Sequence, residues 1–279
     1  MSFTVKDAFV RAFELAEPAR RIVSLIPSIT ETLFGLGAGE RVVGVSKFCT
    51  EPPVGVATRT KVGGQKDPRV DAIVALMPDL VIANVEENRE SDVEAMWAAG
   101  LRVLVTYPRT VKEGIRLIRD LGLLTGTRGR AEEIAMECEA ARLEVERVVT
   151  VREPVRVFCP IWRKPYMTVS RDTYVHDVIR TCGGENIFHE RPERYPKVTL
   201  EEMASLRPDV ILLPDEPFPF GEKHLEEFRA FPDVPAVRAG RIRLVDGKLL
   251  SWYGPRIAKS LRALSGILQP GCGALQGSP

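Results

Sequence analysis

Histidine and cysteine are scarce in this chain, with three of the first and five of the second among 279 residues. The cysteines stand at 49, 138, 159, 182 and 272, odd in number and with no C-x-x-C. That pattern argues against a disulfide framework and a structural zinc site. None of His176, His189 and His224 has a His, Cys or carboxylate partner at ligand spacing, so no dedicated metal site is expected. Charge of one sign is missing too: 39 basic and 38 acidic residues, mixed along the chain, leave a formal charge of +1. Nothing provides the basic face of a nucleic-acid binder or of a membrane-surface helix. No apolar run approaches the ~18 residues of a membrane-spanning helix. The opening "MSFTVKDAFVRAFELAEPARR" lacks the basic, apolar and small-residue succession of a secretory signal. A cytoplasmic address with reduced thiols is therefore expected.

Catalytic signatures are lacking as well. There is no G-x-S-x-G, and no G-x-G-x-x-G follows a strand pattern. "VGGQKDP" (62–68) departs from the G-x-x-x-x-G-K-[ST] phosphate loop. Glu31, Glu86, Asp215 and Glu216 are acids of the kind that could pair for acid–base work, but solvated or hydrogen-bonded carboxylates are the default. No enzymatic activity is expected.

What the chain does have is an alternation. Apolar β-type runs at 21–26, 41–46, 79–84 and 102–107 alternate with helix-type patterns or loops, and 155–160, 209–214 and 241–246 repeat the habit. Strands alternating with helices predict parallel sheets in an α/β fold. "VDAIVALMPDLVIA" (70–83) and "LEEMASLRPDVILL" (200–213) echo one another: a short amphipathic helix, a Pro stop, then a buried strand. Two related lobes are the economical reading. Between them, Ile134, Cys138, Ala141, Val145 and Val148 recur at 4-3-4-3 spacing, which gives 127–150 one apolar helical face. At 1.5 Å per residue that helix is a stiff rod of ~36 Å, ended by Pro154. The expected domains are an α/β lobe over 1–126, a backbone helix over 127–150 and an α/β lobe over 151–279. In "CGGENIF" (182–188) the glycines close a helical pattern, so Gly183 or Gly184 is expected to take the left-handed cap. Glu185 and Asn186 should then turn the chain toward Phe188, an apolar anchor.

Loops after the carboxyl ends of strands are where open α/β sheets meet ligands. In the first half these hold Ser28, Thr30, Glu31, Gly64, Gln65, Lys66, Asn84, Glu86, Tyr107 and Arg109. Ser28 and Thr30 precede a helix pattern and read equally as its N-cap, with Glu31 as a favourable early acid. A helix N-terminus also offers N–H groups to a ligand acceptor. The second half is richer in rings: Trp162, Tyr166, Tyr174, Phe218, Phe220, Trp252 and Tyr253 fall in or beside loops of a chain only 7% aromatic. Such rings suit a large, flat, partly polar ligand, or they plug the lobe's own core. Arg109, Arg163, Arg171 and Arg256 can take a ligand's carboxylate or amide edges, or pair with Glu31, Glu86, Asp215 and Glu216. Axial ligation of a metal carried by such a ligand needs one donor, and His176, Tyr174, Cys49 and Cys159 are the candidates.

"RIVSLIPSITETLFGLG", "RVVGVSKFCTEPP", "VDAIVALMPDLVIAN", "CGGENIF" and "VTLEEMASLRPDVILL" resemble the helical-backbone substrate-binding proteins of ABC importers. The nearest likeness is to the cobalamin binders, with haem and siderophore binders further off. The resemblance runs in order from about residue 20 to about 268, joining helix included. It implies two α/β lobes with mainly parallel sheets, bridged by one rigid helix. It further implies a monomer that holds a corrinoid in the cleft without transforming it, closes little on binding, and has no intrinsic cofactor. Haem or ferric siderophore is the alternative ligand, and a cytoplasmic corrinoid-handling enzyme or sensor the alternative role. Family members are usually periplasmic or surface-anchored. They also dock on the importer permease through an exposed acid at each lobe tip, a place that Asp71 matches and that Glu201 or Glu222 would fill in the second lobe.

Overall fold

A computed structural model describes residues 3–269; Cys272 lies outside them. The chain forms two compact α/β units. The first takes residues up to Pro108, then Lys112–Glu137 and Tyr253–Pro255, and the second takes Arg109–Val111, Cys138–Trp252 and the chain from Arg256 on.

In the first unit a five-stranded sheet runs in the order Thr60–Lys61, Val42–Val45, Ile22–Ser24, Leu80–Asn84, Val103–Thr106, with every pair parallel. In the second, four parallel strands run Gly184–Asn186, Val155–Phe158, Val210–Pro214, Ile242–Val245. Leave out the two-residue strand, and each sheet carries its strands in the order second, first, third, fourth. Leu80–Asn84 and Val210–Pro214 are buried along their whole length, as strands covered on both faces must be. Phe158, Phe188 and Phe228 anchor the second unit's core, with ring centroids 5.6 and 6.4 Å from Phe158.

The internal echo is built the same way in both units. Helix Val70–Ala75 and helix Leu200–Ser205 are followed by a left-handed residue, Met77 at φ 46° and Arg207 at φ 50°, then by Pro-Asp. Asp79 accepts the N–H of Arg21 at 3.1 Å, and Asp209 accepts that of Arg156 at 3.0 Å. Each arginine returns its guanidinium to the last carbonyls of the helix, Arg21 to Leu76 at 2.6 Å and Arg156 to Leu206 at 2.8 Å. Helix ends leave such carbonyls orphaned, and one Arg–Asp pair satisfies them while fixing where the strand starts.

The joining helix runs Arg128–Val149, stopping ahead of Pro154. Ile134, Cys138, Ala141 and Val145 of its apolar face are buried. Its residues through Glu137 pack in the first unit and those from Cys138 in the second.

Two expectations need correction, and one element is new. The first helix begins at Pro27, with Ile26 as its N-cap and no side-chain cap. Ser28 and Thr30 therefore lie inside its opening turn, because proline at the first position needs no N–H partner. Gly183 takes the left-handed cap at φ +82°, but Glu185 and Asn186 do not turn the chain. They form the edge strand Gly184–Asn186 beside Val155–Val157, and the turn comes after it, where the Asn186 side chain accepts the N–H of Phe188 at 3.1 Å. Finally, Phe3–Lys6 and Ala12–Leu15 pair as an antiparallel hairpin, where the sequence reading placed no element.

Candidate ligand-binding loops

In the first unit the loops at the carboxyl ends of the strands are tied together by amides. Asn88 Oδ1 accepts the N–H of Asn84 at 2.9 Å, and Asn88 Nδ2 donates to the Gln65 carbonyl at 2.8 Å. Asn84 Oδ1 accepts the N–H of Glu86 at 2.8 Å, and its Nδ2 donates to Tyr253 Oη at 3.2 Å. Lys66 donates to the Glu86 carbonyl. Gly64 is buried in the turn, where a Cβ would sit 2.1 Å from Asp67 Oδ1. The sequence candidates Gly64, Gln65, Lys66, Asn84, Glu86 and Tyr253 thus belong to one constellation.

One other candidate in that unit, Thr30, is spent on the fold. It is fully buried, its hydroxyl 2.9 Å from Ser24 Oγ, 3.1 Å from the Ile26 carbonyl and 3.1 Å from Cys49 Sγ. Ser28 is buried as well, while Glu31 and Tyr107 are half-buried. Burial pushes the Tyr253 phenol up, so it stays protonated. Two residues the sequence reading passed over follow the strand Val42–Val45. Phe48 is 51% exposed, and Lys47 Nζ stands 5.2 Å from its ring centre. Their place directly after "RVVGVS" was the signal available.

In the second unit the exposed aromatic is Trp162, at 44%. Its loop follows strand Val155–Phe158, and that of Phe218 follows the neighbouring strand Val210–Pro214. The two rings meet edge to face at 5.9 Å. Phe218 is half-buried and packs on Phe220, which belongs to the core. Tyr166 stacks on Phe220 at 6.4 Å and 9° and donates its hydroxyl to Glu227 at 2.6 Å. Tyr174 is buried in the first turn of helix Tyr174–Thr181. Trp252 is buried at 7%, with Lys248 Nζ and Arg256 Cζ at 5.4 and 5.3 Å from its ring. Burial pushes Glu216 up, against hydrogen bonds from Trp252 and Ser251, while Asp215 accepts the Gly247 N–H at 2.8 Å.

A separate cluster gathers arginines. Asp172 pairs with both Arg109 and Arg194, at 3.0 and 2.5 Å. Arg171 is exposed, its N–H bonded to the His189 carbonyl at 3.3 Å. His176 and His189 stack with centroids 6.3 Å apart, a neighbourhood that their separation in sequence concealed. Burial holds His176 below its ordinary value. Cys49 and Cys159 are buried free thiols, and burial pushes Cys159 up to about 12. Among the described residues no three His, Cys, Asp or Glu side chains gather to hold a metal ion. Asp71 and Glu201 are exposed in the first turns of the two echoed helices, and Glu222 is exposed in the short turn Glu222–His224.

A model of the periplasmic binding protein family matches residues 22–249. The chain belongs to that family. This family member is 27% identical over 195 residues to the vitamin B12-binding protein of Vibrio parahaemolyticus serotype O3:K6 (strain RIMD 2210633), across 70% of each chain. The periplasmic vitamin B12-binding protein BtuF of Vibrio cholerae superposes with a TM-score of 0.80 at 24% identity, over 90% of this chain and 97% of that one. The apo periplasmic haem-binding protein RhuT from Roseiflexus sp. RS-1 gives 0.78 at 27% identity, over 90% and 98%. Both structural relatives are described as periplasmic, so the cytoplasmic address expected above gains no support from them. No helix among the described residues is long and apolar enough to cross a membrane.

Proposed function

We infer that this protein captures a corrinoid, without transforming it, for delivery to an ABC importer. The observation that carries this reading is the exposed Trp162 ring, braced by Phe218 on the loop of the adjacent strand, in a chain related to vitamin B12-binding proteins. Aromatic faces exposed on rigidly held loops suit a flat macrocycle with polar edges. Arg171 and Arg256, in the same unit as Trp162, supply polar groups for side chains around the macrocycle. Asp71 and Glu201 occupy equivalent positions in the echo, which makes them the acids to test for permease docking.

Haem is the second reading, favoured by the Roseiflexus relative and by the neighbouring His176 and His189. Ferric siderophore is the third ligand to test. Titrating purified protein with cyanocobalamin, haem and ferric siderophores, followed by absorbance and heat, decides among them. Saturable one-to-one binding of cyanocobalamin with recovery of unaltered ligand is expected. Trp162→Ala should weaken it about tenfold, the loss of roughly 1.4 kcal/mol of ring contact. Failure of all three ligands to bind would sink the ligand class while leaving the family standing.

A further inference from the structure

Trp162 sits on a turn held from below by a single carboxylate. The turn is closed at its base, where Ile161 N–H donates to the Met167 carbonyl at 2.8 Å and Met167 N–H donates to the Trp162 carbonyl at 3.1 Å. At its apex Lys164 adopts φ +61°, a left-handed conformation that side-chain-bearing residues rarely take. Nothing in those backbone bonds fixes how the apex leans. Glu227, from helix Leu225–Arg229, does so. Its Oε1 accepts from Arg163 Nη2 at 2.6 Å, and its Oε2 accepts from Arg163 Nε at 3.0 Å and from Tyr166 Oη at 2.6 Å. One carboxylate thus grips both shoulders of the turn, by a bidentate fork on one side and a phenol on the other. Tyr166 is itself wedged between Phe220 and the edge of Phe228, at 6.4 and 5.9 Å. Trp162, 44% exposed, has the edge of Phe218 beside it.

We propose that Glu227 is a positioning residue for ligand binding, fixing through Arg163 and Tyr166 the orientation in which Trp162 meets the macrocycle. This rests on Trp162 being a ligand contact. Without the carboxylate the turn keeps its base but loses both lateral ties. Trp162 then samples several orientations, and binding must first select one.

The test uses Glu227→Gln, Trp162→Ala and the double variant, with cyanocobalamin as probe and 5-fluorotryptophan incorporated for 19F spectra. Glu227→Gln should weaken binding about three- to tenfold, the usual cost of ordering one large side chain. In the free protein it should shift or broaden the Trp162 line and leave those of Trp97 and Trp252 in place. On the Trp162→Ala background, Glu227→Gln should add nothing. An unchanged Trp162 line, or an equal loss of affinity with and without Trp162, overturns the proposal. If the wild type does not bind cyanocobalamin, it is the ligand reading that fails, and the 19F line alone decides the role of Glu227. Should Glu227→Gln fail to fold, Arg163→Lys, which cannot form the bidentate fork, serves with the same expectations.

Discussion

His176 carries a titration that the fold has already biased. Burial depresses its pKa, with the charges of His189 and Arg180 acting in the same direction and Asp177 against them. The unfolded chain therefore takes up the proton first, near the ordinary value of ~6.5. Where the unfolded state binds more protons, stability rises with pH. The stability contributed by neutral His176 is thus present above about pH 6.5 and is lost as the pH falls below it. Thermal melts from pH 7.5 to 5.5 should show a fall in midpoint that His176→Gln largely removes. A slope unchanged by that substitution would place the acid sensitivity elsewhere. This contact was not legible in the sequence, because a turn and an edge strand fold 13 residues of separation into one ring stack. The fate of the aromatics was half legible. Composition placed rings in loops, but only the packing separates Trp162, which is exposed, from Phe220, which completes the core.

At the scale of elements, apolar runs and helical spacing were readable because burial on both faces demands near-continuous apolar residues, and Leu80–Asn84 and Val210–Pro214 supply them. Pairings of two or three residues, such as Thr60–Lys61 and Tyr166–Met167, are too short to carry a period and depend on what lies alongside. "CGGENIF" contains both cases. The helix-ending glycine is a local requirement, whereas the edge strand after it exists because Val155–Val157 offers a free flank. Two glycines separate backbone strain from crowding. Gly240 stands at φ +62° with open space where a Cβ would go, and Gly183 at φ +82° would bring a Cβ 2.8 Å from Val149 Cγ1. Gly240→Ala should cost about 1 kcal/mol, the left-handed penalty alone. Gly183→Ala should cost roughly 2 kcal/mol or more, because overpacking adds to that penalty. Urea melts of the two variants check the order, and equal costs would mean that the Val149 side chain yields freely.

Over the whole molecule, what the sequence echo announced is a repeated device. Each unit sets a strand start with an Asp and an Arg, and each carries the same strand order. Which loops become neighbours follows from that order, and it is why the Trp162 and Phe218 loops, far apart in sequence, come together. The near balance of 39 basic and 38 acidic residues has a consequence at the same scale. A net charge of +1 provides no long-range field to steer a ligand. Cyanocobalamin carries no net charge, so its capture should rest on ring contact and hydrogen bonds, which salt barely screens. Its association rate and affinity should change by less than about twofold between roughly 20 mM and 500 mM salt. Haem brings two propionates, and its capture through exposed arginines such as Arg171 would weaken several-fold over that range as the Debye length contracts. Stopped-flow association and equilibrium titration at the two salt concentrations therefore separate the readings independently of which ligand binds more tightly. A steep salt dependence for cyanocobalamin would mean that local charges carry its recognition, and the aromatic account of the site would fall with it.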